Sequence, residues 1–318
     1  MRYGLISLLL IFGLAGCAQG PKPAQALHAL NDTGCDTLIE SASWQESNLY
    51  DLTYQCTPRG WKAFFERDSV RAEIKKISDT LAAEVADGKS IGPTIGNTFR
   101  ALYMVEPAEV RAVIMGQDPA PQPGLATGLS FSLDPKVPTS DVASVQRVFL
   151  EAQNEGNCVD LNNGSLLGWA DQGVLLLNMA LTIPCPVDEQ GNVGFCKIAG
   201  HVPLWQDFSH SLVAWIETQD NPMSYILWGS KAGQYASLVT NPYHTVLLGG
   251  HPSPKAKSDR FFCKGYFKNT NDWLGLHQVD GVDWNLRASC SKQPACVWDW
   301  HSRRDGEPAY SSCESPCG

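Results

Sequence analysis

Four hydrophobic runs in this chain each end in a compact polar cluster, and the clusters supply an aspartate, an asparagine, a serine and a histidine. Residues 113–119 read VIMGQDP and bring Gln117 and Asp118, while 174–178 read VLLLN and bring Asn178. Residues 225–230 (YILWGS) bring Ser230, and 246–254 (VLLGGHPSP) bring His251 and Ser253. A carboxylate can position water and balance positive charge, a carboxamide offers a donor and an acceptor together, and an imidazole can donate a hydrogen bond near neutral pH. Short apolar runs bounded by Gly and Pro read as buried parallel strands. In an open α/β sheet the ligand lies beyond the carboxyl ends of those strands. The four polar ends are therefore expected to converge on one crevice.

Helices must cover both faces of such a sheet, and helical patterning is found between the strand candidates. It covers 59–67 and then 69–87, where Ile74, Ile77, Leu81 and Val85 recur at three- and four-residue spacing. Further helical stretches at 144–153, 204–218 and 231–239 precede the Asn178, Trp228 and His251 strands in turn. Strand and helix alternating in this way indicate a parallel sheet between helical layers. The chain has 318 residues, 43% of them hydrophobic, which is enough for a proper core and excludes a disordered protein.

The first residues carry an apolar run at 5–12, too short to span a bilayer, that reads as a secretory signal. The sequence Leu14-Ala15-Gly16-Cys17 resembles a bacterial lipoprotein cleavage box, so Cys17 is expected to carry lipid and become the mature N-terminus. Ala18 follows it in place of the Asp associated with inner-membrane retention, which favours the outer membrane. With Cys17 set aside, ten of the eleven cysteines remain, and an even number in an exported chain points to disulfides. Cys185 with Cys196 is the pair that would close a local loop. The cysteines lack the spacing of zinc, thioredoxin-like or iron–sulfur sites, so neither metal nor cofactor is expected. A formal charge of −9 excludes a general polyanion binder, so any DNA contact must come from a local basic patch.

Residues 116–133 (GQDPAPQPGLATGLSFSL) resemble the signature of family 1 uracil-DNA glycosylases, GQDPYHGPGQAHGLxFSV. The similarity continues through 164–166 (GSL), 169–178 (WADQGVLLLN), Leu181-Thr182, 227–230 (LWGS) and 251–254 (HPSP), in the same order between about Trp61 and Trp284. The resemblance implies an α/β, uracil-DNA glycosylase-like three-layer fold with a central four-stranded parallel sheet flanked by helices. With the leader and cysteine pattern read above, the chain divides into a signal at 1–16, a tether and Cys-containing extension at 17–58, a glycosylase-like domain at 59–286 and a Cys-rich tail at 287–318.

By the same resemblance, Asp118 positions the attacking water and balances a cationic sugar, and His251 donates to uracil O2 as negative charge develops there. Asn178 reads uracil N3–H and O4, Phe131 stacks on the base, and Gln117 and Ala120 line the pocket. Ser130, Ser230 and Ser253 are candidates for phosphate contacts, and Lys255, Lys257 and Arg260 form the local basic patch. Three features depart from the family. Ala120 and Pro121 replace the Tyr and His after the Asp-Pro pair, which removes the wall that excludes thymine's methyl group. Lys255 stands where the family has a Leu wedge and more readily reaches a phosphate. The segment 184–200, with Cys185 and Cys196, is longer than the family's and is expected beside the pocket mouth.

The activity implied is hydrolysis of the N-glycosidic bond of uracil, with 5-substituted uracil also admitted, in DNA outside the cytoplasm. Single strands are preferred because they need no wedge. The protein is expected to act as a monomer held to the membrane through lipid on Cys17. The alternative is a weakened or inactive glycosylase-fold module that binds DNA, a nucleobase or a protein at the cell envelope.

Overall fold

The apolar runs VIMG, VLLLN and YILW have no polar face, so as strands they require cover on both sides, and they receive it. The computed structural model describes residues 33–256 and 260–286. The chain begins with α1 (Thr33–Ser41), α2 (Leu49–Gln55), α3 (Lys62–Phe65) and α4 (Asp68–Ala86). There follow β1 (Ser90–Gly92), α5 (Arg100–Met104), β2 (Ala112–Gly116), α6 (Ala143–Asn154), α7 (Leu167–Ala170), β3 (Val174–Asn178) and β4 (Ile183–Cys185). The last elements are α8 (Val202–Ile216), β5 (Met223–Trp228), α9 (Gly229–Ala232), β6 (His244–Gly249) and α10 (Tyr266–Leu276).

Strands β3, β2, β5 and β6 lie side by side in that order, all parallel, as expected for the three-layer fold. Every residue of β2, β3 and β5 is buried, whereas β6 is an edge strand and leaves Leu248 exposed. The register sets Gly116 opposite Asn178 and Trp228 opposite Gly249, so the carboxyl ends line up along one edge. β1 and β4 form a separate antiparallel pair that the sequence patterning did not indicate.

Helix α4 matches its expected span to one residue at each end, and Val70, Ile74, Ile77 and Leu81 are its buried stripe. It packs on α8, and an aromatic cluster continues that layer, with the Phe64 and Phe208 rings 5.6 Å apart and Phe65 and Phe99 5.4 Å apart. Two expected helices come out shorter. In place of a helix at 59–67, α3 makes one turn, because Gly60 at φ 75° and the extended Arg67 at ψ 133° interrupt the helical backbone on either side. In place of one helix at 231–239, α9 makes a single turn and a 3-10 segment (Gly233–Leu238) takes over at Gly233, a residue with little helix propensity.

Residues Ile39, Leu49 and Leu52 of the N-terminal segment belong to the same core as the sheet, and a Cys35–Cys56 disulfide ties α1 to α2. At the other end Trp284 is buried, and its carbonyl accepts the Trp169 indole N–H at 3.0 Å. The signal, Cys17, Lys257 and the tail at 287–318 lie outside the described residues. Among the described residues no helix is long and apolar enough to cross a membrane.

Candidate active site

At the aligned carboxyl edge a cavity of about 1080 Å³ opens. Its lining includes Gln117, Asp118 and Ala120 after β2, Phe131, Asn178 at the end of β3, Ser230 after β5, and His251, Ser253, Lys255 and Arg260 after β6. Elements far apart in sequence thus place the expected carboxylate, carboxamide, phenyl and imidazole around one space.

Gly116 lets these groups approach. A Cβ at that position would stand 2.3 Å from Asn178 Oδ1 and 3.4 Å from Phe131 Cε2, so only glycine permits the carboxamide and the ring to lie over β2. Asn178 is buried, and among the described residues its carboxamide has no protein hydrogen-bond partner. Both its donor and its acceptor capacity are therefore available to a ligand.

Phe131 is held at φ 57°, a left-handed conformation that costs a non-glycine residue about 1–2 kcal/mol. Ser130 supplies the restraint. Its N–H donates to the Leu176 carbonyl at 3.0 Å and its hydroxyl to the Ile114 carbonyl at 3.0 Å, which ties the turn to β3 and β2. Ser130 is only 1% exposed, so a phosphate contact is not what its hydroxyl offers; it positions Phe131 instead. The Phe131 ring packs edge-on against Trp228 at 5.2 Å and lies 6.4 Å from the His251 ring.

His251 accepts a hydrogen bond at Nδ1 from the Ser253 N–H at 2.9 Å. That bond requires a lone pair on Nδ1, so the neutral ring carries its proton on Nε2. Burial lowers the imidazole pKa below its ordinary value and keeps the ring neutral. Gly229, at φ +90°, makes room for it, since a Cβ there would lie 2.9 Å from His251 Cβ.

Asp118 is asymmetric. Its Oδ2 accepts from Gln117 Nε2 at 2.6 Å and from the Ala199 N–H at 3.0 Å, whereas its buried Oδ1 has no protein partner. Burial raises the carboxyl pKa, opposed by those two hydrogen bonds.

The Ala199 bond was not legible in the sequence, because any residue can supply a backbone N–H; only the unusual length of 184–200 pointed there. That segment does lie at the pocket mouth, closed by the Cys185–Cys196 disulfide and joined to the loop after β2 by Cys196 N–H donating to the Pro121 carbonyl at 2.8 Å. Its far end is anchored by His201. Trp205 Nε1 donates to Thr182 Oγ1 (2.7 Å), and the Thr182 hydroxyl is hydrogen-bonded to His201 Nδ1 (2.8 Å). His201 Nε2 then donates to Glu84 Oε2 (2.8 Å).

A cavity of this composition, at the carboxyl edge of a four-stranded parallel sheet, points to the DNA-glycosylase fold. The comparisons agree. Residues 103–275 match the model of the uracil DNA glycosylase superfamily. A uracil-DNA glycosylase of Azotobacter vinelandii is 35% identical over 226 residues, which is 71% of this chain and 93% of the relative. A "uracil-DNA glycosylase 2" of Listeria monocytogenes is 37% identical over 198 residues, 62% of this chain and 84% of that protein. Among solved structures, a mimivirus uracil-DNA glycosylase superposes with a TM-score of 0.65 at 20% identity, covering 77% of this chain and 94% of its own, and it agrees in fold. The chain belongs to the uracil-DNA glycosylase superfamily.

Proposed function

We propose that this protein hydrolyses the N-glycosidic bond of uracil in DNA, acting as a monomer on single strands outside the cytoplasm. The observation that carries the proposal is the pairing of an Nε2–H tautomer on His251 with an unpartnered Asn178 carboxamide in one cavity that also holds Asp118.

The chemistry follows from these groups. The Asn178 carbonyl accepts from uracil N3–H and its NH2 donates to O4, a pattern that cytosine reverses. As the bond from C1′ to N1 breaks, the electron pair leaves with the base and charge accumulates at O2. His251 Nε2–H stabilises that charge by donating a hydrogen bond. Asp118 Oδ1 retains the capacity to accept from the attacking water, and the ionised carboxylate offsets the positive charge of the sugar. Ala120 in the lining leaves space beside C5, which supports admission of 5-substituted uracil.

Export and a lipid on Cys17 are supported by the apolar run at 5–12 and the cleavage box at 14–17, and the outer membrane as destination by Ala18 in place of the retention Asp. The Cys35–Cys56 and Cys185–Cys196 disulfides fit an oxidising compartment. Cys17→Ala is expected to move the protein from the membrane to the soluble fraction.

The direct test incubates purified mature protein with uracil-containing single strands and then cleaves abasic sites. Product is expected from the wild type. Asp118→Asn and His251→Leu are each expected to slow it by about 10²–10⁴-fold. Product formed equally by all three proteins would overturn the assignment. A non-catalytic binding module is favoured by Lys255 in place of an apolar wedge and by the acidic net charge. That reading predicts no product, together with uracil binding that Asn178→Ala abolishes.

A further inference from the structure

The segment that follows β4 is built as a rigid hairpin. Val187 and Val193 form a β-bridge, and Asp188 accepts the N–H groups of Gln190 (3.0 Å) and Asn192 (2.8 Å) to fix the turn. The Cys185–Cys196 disulfide closes its base, and Pro121 and Asp118 hold it against the pocket. This framework presents two large apolar side chains to solvent at the cavity rim, Phe195 at 59% exposure and Ile198 at 58%. Isolated apolar residues on a surface need no account, but two held together by a disulfide and a backbone network at the mouth of a binding site do.

The same cavity is lined by Lys231, Lys255 and Lys264, a local positive group on a chain of net charge −9. Apolar rim and basic lining together fit one kind of occupant, a polyanion with flat apolar rings. Base extrusion also leaves the neighbouring base without its stacking partner. Lys255 is poorly suited to fill that gap, because an ammonium group is costly to bury against a base.

We propose that Phe195 and Ile198 form a platform for the nucleobase adjacent to the extruded one, gripping a single strand whose phosphates face the lysines. The proposal rests on the reading that DNA enters this pocket, and it adds a subsite to that reading. Aromatic–base stacking tolerates any sequence, so the platform contributes affinity and not base choice.

The test uses full-length mature protein and a single-stranded oligonucleotide with an abasic site flanked by 2-aminopurine. Binding to the wild type is expected to change the 2-aminopurine fluorescence. Phe195→Ala with Ile198→Ala is expected to weaken binding about tenfold and remove that change, with free uracil bound as before. Phe195→Trp is expected to preserve both, which separates loss of stacking from loss of fold. Unchanged affinity and fluorescence in the double variant would overturn the platform; if that variant still cleaves uracil-containing strands as the wild type does, the glycosylase assignment stands without it. Loss of self-association, or of binding to anionic phospholipid vesicles, with DNA binding intact would assign the rim to a different occupant and also overturn it.

Discussion

The backbone N–H of Ala199 donates to Asp118 Oδ2 at 3.0 Å, joining residues 81 positions apart in the chain. One lone pair of the carboxylate is thereby fixed by a loop that a disulfide stiffens, and the other oxygen is kept for a ligand. Ala199 itself sits at φ 60°, a conformation glycine adopts without penalty. Ala199→Gly should retain the N–H and relieve the strain, raising stability by up to about 1 kcal/mol with turnover unchanged. Thermal melting and kcat of the variant check this, and a fall in both would show that the alanine methyl is needed.

The pH–rate profile should have an acid limb and no alkaline decline from these groups. Asp118 must be ionised and its pKa is raised by burial, while His251 must be neutral and its pKa is lowered by burial. Both conditions are met on the alkaline side, so kcat/KM should rise with pH and level off above the higher of the two pKa values. In Cys185→Ser with Cys196→Ser the freed loop would release the Ala199 bond to the charged carboxylate, which raises the Asp118 pKa further. The limb should then move to higher pH; a limb that stays in place would dissociate the loop from Asp118.

Ala120→Tyr should restore a wall beside the base. A steric contact of this kind is worth about 1–3 kcal/mol in discrimination, so the ratio of uracil to thymine cleavage should increase. Parallel assays on the two substrates measure it, and an unchanged ratio would mean that residue 120 does not face C5.

Gly229→Ala should damage function more than its size suggests. The residue is at φ +90° and the new Cβ would meet His251 Cβ at 2.9 Å. A backbone penalty of about 1–2 kcal/mol is expected in melting experiments. Displacement of the imidazole should lower kcat with a smaller effect on KM. Retention of full kcat would argue against a role for His251 at the reacting base.

Stability should decline as pH rises toward neutrality because of Glu155. Its Oε2 accepts the Phe267 N–H at 3.0 Å and the Lys268 N–H at 2.9 Å, capping α10 from the end of α6. Burial, with Glu151 nearby, raises its pKa from 4.5 to about 7. The folded state therefore binds more protons than the unfolded state between those values. That contribution is full below 4.5 and is lost as pH climbs through about 7. Melting temperatures at pH 5 and pH 8 should differ less in Glu155→Gln than in the wild type.

The long-range cap on α10 also shows where sequence patterning stops. A helix at Tyr266–Leu276 draws its capping carboxylate from a residue more than a hundred positions earlier, which no local pattern records. Local order was legible wherever one short segment carried its own signal. Strands β2, β3 and β5 announce themselves because an unbroken apolar run has nowhere to go but a doubly covered sheet, and α4 does so through the spacing of Ile74, Ile77 and Leu81. Ser130 shows the reverse, since its residue type suggested a phosphate contact and only its burial beneath the Ile114 carbonyl revealed a structural task.

By itself the sequence determined which chemical groups stand at the strand ends, because burial of apolar runs dictates the sheet and the sheet dictates that its carboxyl edge is shared. Tertiary structure alone decided the proton on His251 Nε2, the single open oxygen of Asp118 and the apolar rim of the 184–200 hairpin. Each of these depends on a partner brought close by folding, and a hydrogen bond or a desolvated carboxylate exists only once the groups that make it are within about 3 Å.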